Sequence, residues 1–117
     1  MFCRVTHVQA PEGKVREGLQ LWYENILPIT KARHGFRGAI SMVDFESGKA
    51  LSITFWEGEE DLIASTEAEY HRQAVARFGE FFEEAHEPEN FHMHMFTGPM
   101  FKETFSTDEA GRKVAEG

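Results

Sequence analysis

The sequence has one cysteine, Cys3, in 117 residues, so no internal disulfide can form and a packed core must hold the fold. That usage suits the cytoplasm. Cys3 itself reads as a small hydrophobe in a first strand rather than a reactive thiol. Long apolar runs are also missing, and none nears the roughly 20 residues that cross a bilayer. The opening stretch MFCRVTHVQA alternates and carries charge, unlike a signal peptide. Basic charge is scarce: 12 Lys and Arg stand against 20 Asp and Glu, a formal net charge of −8. The acidic excess falls after residue 58, and no basic stripe offsets it. Phosphate backbones and anionic membrane surfaces are therefore excluded as expected partners. No GxGxxG follows a strand, and no serine lies in a nucleophile-elbow pattern.

Phenylalanine is plentiful, with 11 residues. Phe36, Phe45, Phe55, Phe78, Phe81, Phe82, Phe91 and Phe96 fall in expected strands or helices, where such rings fill a core or line an apolar cavity.

Residues 2–9 are β-branched and aromatic and read as a strand that Pro11, Glu12 and Gly13 break. Val15, Leu19, Trp22 and Ile26 recur at helical steps, with a kink expected at Pro28 and an end at Gly35. Residues 36–45 and 50–56 read as two strands joined by a Gly48 hairpin. Acidic residues 57–61 favour a helix start, giving a short helix over about 59–64. Thr66 with Glu69 forms a capping-box pattern for a second, longer helix whose inward stripe is His71, Val75, Phe78 and Phe82. The acidic run Glu83-Glu84 and Glu87-Glu89 reads as solvent-facing helix end and loop. Residues 90–97 form the last strand.

The order is βαββαβ, an α+β ferredoxin-like arrangement whose four-stranded antiparallel sheet has helices on one face. Residues 1–99 make that domain and 100–117 a polar tail, with Phe101 and Phe105 as anchors on a partner subunit. Apolar residues alternate on both strand faces, so the face without helices calls for a second copy, and a homodimer is expected.

Ile26-Leu27-Pro28, Gly35-Phe36-Arg37-Gly38, Ile53-Thr54-Phe55-Trp56-Glu57 and Glu60-Asp61-Leu62 together resemble the antibiotic biosynthesis monooxygenase domain, over roughly residues 2–97. The resemblance implies a dimeric α/β barrel, with two sheets face to face and a pocket between sheet and helices in each subunit. It also implies a cofactor-free monooxygenase that oxidises a small hydrophobic, aromatic or quinol-like molecule with dioxygen. The protein then holds the substrate and promotes loss of a proton. By this resemblance Trp56 is a pocket residue, although an end-of-strand structural role fits it equally. Quinone-forming members carry an asparagine four residues before that tryptophan and a tyrosine six after it; here Ser52 and Leu62 stand there. Haem-degrading members carry an asparagine in the first strand, which is missing here. Their tryptophan and histidine positions fall on about Ser65 and Ala74 or Val75, so haem degradation is not expected.

Histidine is the natural base near neutral pH, and His71 or His7 is the candidate. His92 and His94 project from one face of the last strand, and antiparallel pairing brings His7 near that strand's start. The three imidazoles would suit zinc or iron, but pocket lining is the simpler reading and no metal is expected. Arg37 could bind a phenolate or anionic oxygen; a strand-end surface position is the plainer alternative. Two other readings stand beside the monooxygenase: a non-catalytic binding or accessory protein of this fold, and a metal-binding dimer.

Overall fold

The computed structural model describes residues 1–67, 73, 76, 79, 81, 83, 84, 87–99, 106, 107, 113 and 114. Strand β1 (Phe2–Gln9) leads into a turn in which Lys14 N–H donates to Pro11 O at 2.9 Å. Gly13, at φ +79°, occupies the left-handed position that such a turn gives to glycine. Helix α1 (Val15–Leu21), a wider π-type segment (Trp22–Ile26) and α2 (Leu27–Lys31) follow without a break. Pro28 has no N–H to give the preceding turn, and the widened segment ends just before it. Leu27 N–H reaches back five residues to Trp22 O, and Asn25 Nδ2 donates to Leu21 O at 3.2 Å. The expected kink is thus a change of helical pitch.

Strands β2 (Phe36–Val43) and β3 (Lys49–Trp56) form the expected hairpin. Its β2 end carries a bulge: Phe36 opposes Trp56 and Gly38 opposes Phe55, leaving Arg37 as the extra residue. Helix α3 runs Glu59–Glu67. Glu69, the other half of the capping box expected at Thr66, lies outside the described residues. Thr66 lies inside α3, and its hydroxyl donates to Leu62 O and Ile63 O, so α3 continues where a new helix start was expected.

The sheet order is β2-β3-β1, with the far edge of β1 covered by two short strands, β4 (Glu83–Glu84) and β5 (Glu89–His92). Both run antiparallel to β1. Val8 opposes Glu84 and Val5 opposes Glu89, so four positions separate these pairings along the edge and only two, Thr6 and His7, along β1. The fourth strand is therefore one strand interrupted at Pro88, which cannot donate to a ladder. Two expectations change here: Glu83-Glu84 pairs with β1 rather than ending a helix, and the last strand is shorter than 90–97. A further pair, β6 (Ser106–Thr107) with β7 (Lys113–Val114), lies in the polar tail. Phe101 and Phe105 lie outside the described residues.

Directly opposed residues of an antiparallel pair project to one face. The registers therefore give β1, β2 and β3 two faces. Phe2, Ala39, Ser52, Thr54 and Trp56 share one, which we call the helix face. Among the described residues Trp56 and Leu62 are the largest fully buried side chains, and α3 packs on β1 and β3. Cys3, Val5, His7, Ile40, Met42, Leu51, Ile53, Phe55 and Phe91 share the other, open face, and none of them is buried. Met42 and Phe91 remain 48% exposed. A four-stranded antiparallel α+β sheet of ferredoxin-like type is thus in place, and the described residues of one apolar face are not fully buried.

Candidate functional site

On the helix face, β3 places Ser52, Thr54 and Trp56 at successive inward positions, and α3 contributes Leu62. Trp56 is 1% exposed. Its indole Nε1–H donates to Thr54 Oγ1 at 3.0 Å, and its ring meets Phe36 edge-on at 5.7 Å. The buried indole therefore has its polar atom satisfied within its own strand. Ser65, buried three residues after Leu62 on α3, donates its hydroxyl to Leu62 O at 2.7 Å. Ser52 sits between Thr6 of β1 and Ser41 of β2, so three hydroxyl residues form a row across the sheet. That row is polar ground on a face that also carries Arg4 and Thr54 beside the apolar Phe2, Ala39 and Trp56. Sequence reasoning did not single out Thr6, Ser41 or Thr54, because the row exists only once the registers are known.

His7 is on the opposite, open face, across the sheet from Ser52 and Trp56. Its Nε2 donates to Glu89 Oε1 at 3.2 Å, since an ionised carboxylate only accepts. The sequence placed His7 near the start of the last strand, and it is there. His92, by contrast, opposes Phe2, five residues along β1, or about 17 Å at strand rise. It stacks on the Phe2 ring with centroids 5.0 Å apart, on the helix-face side. His94 follows the strand end. The structure does not bring His7, His92 and His94 together. Among the described residues no group of three or more His, Cys, Asp or Glu is placed to hold a metal ion.

Arg37, bulged out of β2, donates Nε–H to Glu57 Oε2 at 2.8 Å and is half exposed. It is engaged at the surface by the residue that follows Trp56. His71 and Phe78 lie outside the described residues. Burial pushes the Cys3 thiol above its ordinary range, in keeping with a packing role.

A second cluster, not anticipated from the sequence, joins the α2–β2 turn to α3. His34 Nδ1–H donates to Asp61 Oδ1 at 2.8 Å, and Gly58 N–H donates to Asp61 Oδ2 at 3.2 Å. These bonds, His34 first, hold the Asp61 carboxyl below its usual range against the opposing effect of desolvation. Gly35 beneath it has φ +84°, and a Cβ there would lie 2.3 Å from Asp61 Cγ. The motif residues Gly35 and Asp61 are thus a matched pair: glycine leaves the room the carboxylate fills.

No curated protein is significantly similar in sequence. Solved structures are. A candidate antibiotic biosynthesis monooxygenase from Deinococcus radiodurans superposes with a TM-score of 0.70 at 14% identity, covering 86% of this chain and 99% of that one. SnoaB from Streptomyces nogalater, a cofactor-independent oxygenase, gives 0.68 at 9% identity over 81% and 94% of the two chains. A candidate monooxygenase of the same kind from Nitrosomonas europaea gives 0.67 at 8% identity over 81% and 100%. These likenesses establish the fold, and the family model for antibiotic biosynthesis monooxygenases matches residues 1–77. The chain belongs to the antibiotic biosynthesis monooxygenase family.

Proposed function

We propose that this protein is a cytoplasmic, homodimeric, cofactor-independent monooxygenase that oxidises a small aromatic or quinol-like molecule on the helix face of its sheet. The observation that carries the reading is the placement of Ser52, Trp56 and Leu62 together on that face, within a chain of this family. Trp56 forms an apolar wall, Ser52 supplies hydrogen bonding, and Leu62 and Phe78 shape the ring site. His92, next to Phe2 on the same side, lines its edge. His71 is assigned as the base, because His7 faces away from this site.

In the reaction, His71 removes a proton from an activated ring carbon and leaves a carbanion. The carbanion reduces dioxygen, so one oxygen atom enters the product as a carbonyl and the other leaves as water. A CH₂ group and O₂ thus become C=O and H₂O, with both electron pairs supplied by the substrate. General-base catalysis of this kind contributes about 10²–10⁴-fold. His71→Ala should therefore lower oxygen uptake by about 10²–10⁴-fold while ligand binding persists. Oxygen uptake that needs a phenolic or anthrone-like substrate and no added cofactor tests the reading. A ligand that binds and yields no product under oxygen would refute it.

That second outcome has its own support. The indole N–H is held by Thr54, and Leu62 brings no polar atom, so the helix face can bind an apolar ring without activating it. A non-catalytic binding or accessory protein is the reading in that case.

A further inference from the structure

We infer that His34 and Asp61 are positioning residues for the ring site: their hydrogen bond latches the α2–β2 turn to the start of α3 and so fixes Phe36 and Leu62 relative to Trp56. The inference rests on the helix-face reading above and gives a role to two residues outside the site itself.

The two segments meet along a strap of four bonds. Arg33 Nη2 donates to Ala64 O at 3.4 Å, and His34 Nδ1–H donates to Asp61 Oδ1 at 2.8 Å. Gly35 O accepts from Glu57 N–H at 2.7 Å, and Arg37 Nε–H donates to Glu57 Oε2 at 2.8 Å. Residues 33, 34, 35 and 37 thus all reach across to residues 57–64. Phe36, the residue they bracket, meets the Trp56 ring edge-on. On the other side of the strap, Asp61 binds His34, and the next residue, Leu62, is 1% exposed. Each side therefore carries one apolar residue of the Trp56 face directly beside residues that bond across the strap.

Of the four bonds, the one between His34 and Asp61 has its geometry set in advance. A Cβ on residue 35 would lie 2.3 Å from Asp61 Cγ, so the carboxylate is seated against the bare backbone of Gly35. Its second oxygen accepts from Gly58 N–H at 3.2 Å. A carboxylate held at both oxygens presents a fixed lone pair to the imidazole, and a bond to an ionised acceptor is stronger than one between neutral groups.

Exposure decides what such a bond can do. The His34 side chain is 94% exposed and that of Asp61 20%. Exposed pairs contribute little to global stability, so the latch does not hold the sheet together. It does bias a local opening, because turns and helix ends lie at the low-stability end of a fold. Opening the latch frees Asp61 and the Leu62 that follows it, and loosens the ring site while β1 and β3 stay paired.

The test compares the parent with His34→Ala and His34→Asn. The first removes the bond and little buried surface; the second keeps an amide N–H near the place of Nδ1–H. Hydrogen exchange of the Trp56 indole N–H, identified by its loss in Trp56→Phe, is read by NMR beside the amides of the β1–β3 ladder. Oxygen uptake with anthrone gives KM and kcat. In His34→Ala we expect indole exchange to quicken about two- to fivefold with the ladder unchanged, and KM to rise by a similar factor at constant kcat. His34→Asn should restore both. The inference is overturned if the indole of His34→Ala exchanges at the parent rate. It is equally overturned if the ladder amides accelerate as much, which would make the bond a general stabiliser, or if His34→Asn restores nothing. A parent that leaves anthrone unoxidised would refute the monooxygenase reading, and the indole exchange would then decide the latch alone.

Discussion

At the scale of single residues, the helix-face site depends on how one indole is satisfied. Trp56 is 1% exposed and gives its only N–H to Thr54. Thr54→Val keeps the shape of that side chain and leaves the buried donor unpaired, which costs about 1–3 kcal/mol. Urea denaturation should show that loss, and Thr54→Ser, which retains the hydroxyl, should recover most of it. An unchanged midpoint in Thr54→Val would mean that the bond contributes nothing. Trp56 itself was legible as a candidate from its place in Ile53-Thr54-Phe55-Trp56-Glu57. Its partner was not, because three Ser or Thr residues along β2 and β3, namely Ser41, Ser52 and Thr54, are candidates in sequence and only the register and rotamer choose among them.

Asp61 invites a pH experiment. Its folded carboxyl is held below the ordinary Asp value of about 3.9, chiefly by the bond from His34. A depressed carboxyl stabilises the fold above its unfolded pKa, and that contribution is lost as pH falls through the folded value. Asp61→Asn should therefore be less stable than the parent near neutral pH, with the gap closing below about pH 4. Thermal melts over that range measure it; a gap that ignores pH would show that ionisation of Asp61 is irrelevant.

At the scale of elements, β-branched and aromatic composition located β1, helical periodicity the first helix, alternation and Gly48 the β2–β3 hairpin, and acidic charge over residues 57–61 the start of α3. The irregular parts were hidden for physical reasons. The pitch change at Trp22–Ile26 preserves the spacing of Val15, Leu19, Trp22 and Ile26, so no pattern reveals it. The β2 bulge at Arg37 and the break between β4 and β5 are properties of pairing, and pairing is nonlocal. Glu83-Glu84 has poor strand propensity and pairs only because β1 has a vacant edge. The hairpin also gives a sharp prediction. Gly48 has φ +79°, and a Cβ there would approach Ala10 O to 2.7 Å. Gly48→Ala combines a left-handed strain of about 1 kcal/mol with a backbone collision that a flexible side chain cannot relieve. It should destabilise the protein more than Gly13→Ala, whose site shares the positive φ but has nothing within 4 Å of the added carbon. Equal losses would mean that the turn, not the close approach to Ala10, sets the cost.

At the scale of the whole molecule, the open face decides what the protein is in solution. Val5, Ile40, Ile53, Phe55 and Phe91 lie on it without being buried, and a monomer would present them to water as one continuous apolar surface. Surfaces of that kind are usually covered, and in the proposed homodimer a second copy related by a two-fold axis would cover it with the same residues. Ile53 is the most telling position, since it is flanked in register by Val5 on one side and Ile40 on the other. In the proposed dimer, Ile53→Glu buries an unpaired carboxylate at the interface twice, once from each copy, which neither copy can neutralise. In a monomer the same glutamate faces water and costs little. Sedimentation of Ile53→Glu should therefore show a shift from dimer to monomer, with the strand signal in circular dichroism retained. A variant that stays dimeric and as stable as the parent would place the copy–copy contact elsewhere, and would leave this apolar face needing a different partner.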